Sequence, residues 1–174
     1  MKKIMAIVLS ALMLTAFAAC NEEEESVKRD SIEGAVELYF NAWCEADAQA
    51  VLDLYPDEMV DFMIDRYGSK SEMKKELRED LKEALGEMEN EYGDFKRYEF
   101  EVIDSESMDR DERDEIEEYM RERTESDINI SSVKTVEVEY TIYFEDDEYD
   151  GIVELMLMKV DGQWYLFEGA DLFN

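Results

Sequence analysis

The stretch IVELMLMKVDGQWYLF, Ile152 to Phe167, decides the fold. Read with a period of two, Val153, Leu155 and Leu157 fall on one face of a strand and Met156, Met158 and Val160 on the other. A strand that is apolar on both faces belongs in the middle of a sheet with both sides covered. Asp161-Gly162 is the strongest hairpin signal in the chain, because a two-residue turn of this kind needs positive φ at both positions. Gln163 to Glu168 returns as a last strand, with Trp164 and Leu166 alternating with Tyr165 and Phe167.

Working back from this hairpin, Val136, Val138, Tyr140, Ile142 and Phe144 alternate with polar partners, a half-buried strand. A turn falls within Glu145 to Gly151. Met108 to Ser126 reads as a helix with a narrow apolar stripe of Ile116, Tyr119 and Met120, expected to lie over an edge or loop rather than in the core. Tyr98, Phe100 and Val102 alternate with Glu99 and Glu101 and predict an earlier strand.

The part before it is helical. Asp30, with Glu33 three residues on, predicts a capping box. Ile32, Ala35, Val36, Tyr39, Phe40 and Trp43 then recur at spacings of three and four, to about Glu45. Asp47 caps a short helix, Ala48 to Tyr55, that the single proline, Pro56, ends. A third helix, Glu58 to Tyr67, follows an Asp57 cap. Ser69 and Glu72 open a fourth from about Lys70 to Tyr92, with Met73, Leu77, Leu81, Ala84, Leu85 and Met88 along one side.

The N-terminal stretch has another grammar. Lys2 and Lys3 precede an apolar run from Ile4 to Phe17, and Ala18 and Ala19 lead into Cys20. A charged start, an apolar middle and small residues at a cut make a secretory signal, and the run is short for a membrane span of about 20 residues. Ala18-Ala19-Cys20 resembles the lipobox of bacterial lipoproteins, with Phe17 where that family usually has leucine. The resemblance implies cleavage before Cys20, lipid on Cys20, and a place on the extracytoplasmic face of the cell membrane. The expected organisation is a signal at residues 1–19, an acidic tether at 20–29 around Glu22 to Glu25, and a single domain at 30–174. The alternative is a soluble secreted protein with an incidental cysteine.

Composition excludes more than it selects. The net charge of −30 argues against nucleic-acid binding, which needs Lys and Arg against phosphate, and against anionic lipid headgroups. There is no histidine, which removes the commonest general base and metal ligand and any Ser-His or Cys-His pair. With Cys20 lipidated, Cys44 has no disulfide partner, and at the edge of the first helix's stripe it reads as a buried structural thiol. Asp146, Glu148, Asp150 and Gly151 match the first half of a calcium loop, but the twelfth position is Leu157 where a bidentate glutamate is needed. Asp109 and Asp111 are followed by Arg113. We therefore expect no metal site and no cofactor.

Helices first, then a strand, an inserted helix and a three-strand meander predict an α+β fold, with N-terminal helices packed on a curved antiparallel sheet. Ala35 to Tyr55 (AVELYFNAWCEADAQAVLDLY) and Met158 to Phe167 (MKVDGQWYLF) resemble the NTF2-like superfamily. This is the cone-shaped, cystatin-like α+β fold shared by ketosteroid isomerases, SnoaL-type polyketide cyclases and many small lipoproteins. The resemblance implies a cone that can hold a ligand, and homodimers are common in the family. The helix over Met108 to Ser126 departs from the family pattern, and no catalytic residue of the family matches a motif in this chain. Tyr39, Trp43, Tyr98, Tyr140 and Trp164 are the large aromatic residues expected to face inward, where they either line a pocket for an apolar or cationic ligand or fill the cone. The leading expectation is a non-catalytic, lipid-anchored domain that binds a small ligand or an envelope protein. The alternatives are an isomerase or cyclase built on a carboxylate and a tyrosine, and a structural envelope protein.

Overall fold

The computed structural model describes residues 29–169. The expected signal, Cys20 and the Glu22 to Glu25 run lie outside the described residues. Four helices come first: α1 (Ile32–Cys44), α2 (Ala48–Asp53), α3 (Asp57–Tyr67) and α4 (Lys70–Tyr92). Strand β1 (Phe95–Ser107), helix α5 (Arg110–Thr124), and strands β2 (Ile130–Phe144), β3 (Glu148–Val160) and β4 (Gln163–Gly169) follow. The sheet is curved, unclosed and antiparallel throughout, in the order β1-β2-β3-β4. This is the α+β arrangement expected, with the extra helix inserted before the meander.

Local chemistry sets the helix ends, with three adjustments to the expected boundaries. Ser31, not Asp30, caps α1: its Oγ accepts the Gly34 N–H at 3.0 Å. Asp47 caps α2 as expected, accepting from the N–H groups of Gln49 and Ala50, but the helix ends at Asp53. Pro56 takes the cap position of α3, so Asp57 is its first residue rather than its cap. Ser69 opens α4, accepting the Glu72 N–H and donating to the Glu72 carboxylate.

The closing hairpin forms as its turn chemistry requires. Asp161 and Gly162 have φ of 50° and 83°, and Val160 pairs directly with Gln163. β3 lies between β2 and β4, the central place its two apolar faces predict. The outer edge of β4 is covered: the Trp164 N–H donates to the Arg29 carbonyl at 2.7 Å and the Leu166 N–H to the Leu54 carbonyl at 2.8 Å. Arg29, the last residue of the expected tether, is thus already bound to the sheet. β1, the opposite edge, carries Lys96 and Arg97 and two irregularities in register, devices that discourage edge-to-edge pairing.

The inner face of the sheet holds the main core. Val136, Val138, Tyr140, Ile142 and Phe144 of β2 are buried there with Val153, Leu155 and Leu157 of β3 and Trp164 and Leu166 of β4. Val36, Tyr39 and Phe40 of α1 press onto them. At one point the backbone itself makes room. Gly151 pairs with Tyr140, and a Cβ at 151 would stand 2.4 Å from the Tyr140 Oη.

The outer face carries a second, smaller core. Met120 of α5 is buried with Ile128, Ile130, Val133 and Met158. Helix α5 therefore lies on the outer sheet face and not over an edge or loop, because Met120 finds an apolar seat on Val133 and Met158. The Asp109–Glu112 capping box starts the helix, and Glu117 accepts the Ile130 N–H at 2.8 Å, which ties α5 to the start of β2. A third cluster, Leu52, Val60 and Met73, joins α2, α3 and α4. Every residue of the three clusters falls between Ile32 and Phe167.

Candidate functional site: a closed cone and an open outer groove

The five aromatic residues singled out from the sequence all join the main core, with Phe40 at its centre. The Phe40 ring stacks on Tyr98 and Phe100 with centroids 5.4 and 5.5 Å away, and Tyr140 meets it at 5.4 Å. Tyr39 contacts Phe40 edge-on and Trp43 at a tilt. Tyr39, Tyr140 and Trp164 are buried, whereas Trp43 and Tyr98 are half-buried. The void between Tyr39, Leu157, Trp164 and Leu166 is about 10 Å3. That is roughly the space of one water, far below the roughly 300–1,000 Å3 of a ligand pocket.

The titratable groups of this core are weak acids held neutral. Burial pushes the Tyr98 hydroxyl well above the usual phenol range, and Glu37, Cys44 and Glu45 push the same way. That hydroxyl donates to Asn41 Oδ1 at 2.7 Å. Tyr140 is pushed up to about 12, by burial first and by Tyr149 second. Cys44 is buried and free, and burial raises its thiol to about 12, so the nucleophilic thiolate is scarce at neutral pH. Among the described residues no charged side chain is buried.

The calcium-like stretches serve other ends. Asp146 to Gly151 forms the β2–β3 turn and the start of β3. Asp109 spends its carboxylate on the α5 cap. Among the described residues no three acidic or thiol side chains gather as ligands for a metal ion.

The outer face divides into two halves. One half is bare and acidic, with Glu101 opposite Glu139, and Glu137 between Asp104 and Glu154. Like charges directly opposite one another repel. Ile152 stands among these acids, 60% exposed. Arg97 relieves the far corner: its guanidinium lies 3.7 Å over the Tyr143 ring and pairs with Glu99, which also accepts the Tyr143 hydroxyl at 3.0 Å.

The other half is a groove beside α5, about 740 Å3 in volume. Met156 of β3 and Phe167 of β4 lie on the sheet side, Met59 on α3, and Met108 at the approach to α5. Ile116 and Tyr119 line the α5 side, with Glu112 and Glu115 exposed along it. Tyr119 is 44% exposed; its ring meets Phe167 edge-on at 5.8 Å, and Arg123 lies 4.9 Å from its centroid. Sequence reasoning did not assemble this groove. The available signal was the second stripe on α5, in which Met108, Glu112, Glu115, Ile116 and Tyr119 recur at spacings of three and four.

No family model, curated protein or solved structure matches this chain.

Proposed function

We propose that the chain is an NTF2-like domain of a bacterial lipoprotein, held outside the cytoplasmic membrane by lipid on Cys20, that binds a protein partner and catalyses nothing. The observation that carries this reading is the closed cone. Phe40 packs against Tyr98, Phe100 and Tyr140, and the void beside Tyr39 and Trp164 is about 10 Å3. A small ligand would have to displace Phe40 or Trp164 to enter. An isomerase or cyclase would need a desolvated carboxylate beside Tyr98 or Tyr140; Glu37 and Glu45 lie near enough to Tyr98 to raise its hydroxyl, but neither is buried. The Tyr98 hydroxyl instead donates to the Asn41 amide oxygen and approaches the Glu37 carbonyl at 3.4 Å. The surface left for recognition is the outer sheet face, where a large apolar groove lies beside a bare acidic field.

Two measurements test the reading together. Photo-crosslinking residues placed at Ile152 and Tyr119 in whole cells should trap a protein partner in the membrane fraction. A library of small apolar and cationic compounds should leave the melting temperature unchanged, because a ligand that binds only the folded state raises it. A reproducible thermal shift with a small compound, and no crosslinked partner, would overturn the proposal. Cys20→Ser should release the protein from the membrane fraction, and equal retention of wild type and variant would remove the lipid anchor.

A further inference from the structure

We propose that the groove beside α5 receives a cationic amphipathic helix of about three turns from a partner protein. The inference rests on the binding-module reading and names its site. Three properties of the groove select this occupant.

The first is lining. Met59 of α3, Met108 of the connection between β1 and α5, and Met156 of β3 all border the groove. Unbranched thioether side chains adapt their shape to an apolar partner at little cost. Among the described residues the inner core, by contrast, has only the half-buried Met88 packed against it. Methionine is concentrated on the outer face, where five of these residues join the second cluster.

The second is length. The stripe on α5 that borders the groove runs from the helix approach at Met108 to Tyr119. The nine helical steps from Arg110 to Tyr119, at 1.5 Å each, give about 14 Å, and Met108 just before the helix extends the border to roughly three helical turns. A helix laid in such a groove inserts anchors at i, i+3, i+4 and i+7.

The third is charge. Glu112 and Glu115 are exposed along this side, and none of the lining residues is basic. Arg123 already rests on the outer rim against Tyr119, which shows that the ring accepts a cation from this chain itself. The net charge of −30 adds long-range attraction for a basic partner. Apolar floor and acidic edge together call for Leu or Phe on one side of the incoming helix and Lys or Arg on its flanks.

The test uses residues 21–174, which keep all three clusters, and a fluorescently labelled peptide of leucine and lysine patterned as an amphipathic helix. Binding is read by anisotropy. Two control peptides have glutamate in place of lysine, or the same composition scrambled to destroy the apolar face. The patterned cationic peptide should bind, and both controls should bind at least about tenfold more weakly. Glu112→Lys combined with Glu115→Lys should weaken binding about tenfold, and Tyr119→Ala should do the same through loss of an aromatic anchor. Glu115 and Tyr119 are exposed and hold no cap, whereas Glu112 closes the α5 capping box, so Glu112→Gln, which keeps that hydrogen bond without the charge, is measured beside the double reversal, and a circular dichroism melt verifies that each variant is folded.

Equal binding of the scrambled peptide would reduce the effect to general attraction by a negative protein and would overturn the proposal. So would insensitivity to the Glu112 and Glu115 reversal. A chain ending at residue 169 that binds the peptide about tenfold more tightly would overturn it as well, since Leu172 and Phe173 of this chain would then be the native occupants. Loss of the groove in any of these ways, with crosslinks at Ile152 still forming, would leave the binding-module reading in place.

Discussion

The two faces of one sheet are built from different chemistry. The inner face buries aromatic and branched residues around Phe40, and the void beside Tyr39 and Trp164 is about 10 Å3. The outer face has methionine under α5 on one half and like charges directly opposite one another on the other half. Rigid rings and β-branched side chains fix a single packing arrangement, whereas methionine and solvated glutamate do not. The inner face therefore determines that the chain folds. The outer face carries a smaller core under α5 and leaves its acidic half exposed.

The largest break in this comparison is Phe40→Ala. It removes the ring on which Tyr98, Phe100 and Tyr140 all rest. It should cost about 3–5 kcal/mol, a large part of the roughly 5–15 kcal/mol typical of a domain. Chemical denaturation measures it, and a loss under about 1 kcal/mol would show the inner core to be plastic. Trp43→Ala should cost less than Phe40→Ala, because Trp43 is only half-buried.

Met120→Ala tests the outer core. We expect a cost near the low end of the usual range, about 2 kcal/mol, because the cluster is small and its open side can collapse. Hydrogen exchange should quicken in α5 and at the start of β2, with the Val136 to Phe144 ladder still protected. Uniform loss of protection over the whole sheet would mean that the two faces unfold as one unit.

Glu137→Gln works in the opposite direction. Glu137 lies between Asp104 and Glu154 in the ladder. Removing its charge should raise stability by about 0.2–1 kcal/mol, and high salt should erase the gain. A gain that persists in salt would point to something other than charge.

The smallest effect concerns Glu99. Its hydrogen bond from Arg97 holds the carboxyl below the usual glutamate range, helped by the Tyr143 hydroxyl. A depressed carboxyl contributes stability above its unfolded pKa and loses it as pH falls through the folded pKa. Carbon-detected NMR titration should show the Glu99 midpoint rising toward the ordinary value in Arg97→Met. An unchanged midpoint would show that the pair is not formed in solution.

The inner face was legible in the sequence because period-two and period-three-to-four patterns report burial directly. The stripe Ile32 to Trp43 and the alternation Val136 to Phe144 could only be buried against each other. The seat of α5 was not legible. Only Met120 of this helix is fully buried, and its partners Ile128, Ile130 and Val133 precede the alternating stretch, where a register irregularity near Ser132 breaks the pattern. The cap at Ser31 was missed because Asp30 is an equally good capping residue, and only the position of the Gly34 N–H decides between them. Whether the aromatic set would line a space or fill it depends on Phe40. The sequence assigned Phe40 to the helix stripe, but its place between Tyr98, Phe100 and Tyr140 requires three elements to meet.

Gly151 shows how a residue can be indispensable for what it leaves out. It has no side chain to contribute, yet the Tyr140 ring occupies the volume a Cβ would need. In a saturation-mutagenesis library, substitutions at 151 should be depleted about as strongly as those at Phe40. The two kinds of intolerance then part ways. A smaller side chain at 140, as in Tyr140→Val, should restore tolerance to Gly151→Ala, whereas no change at 140 should rescue Phe40→Ala. Double-variant survival would thus separate a position that holds mass from one that holds space.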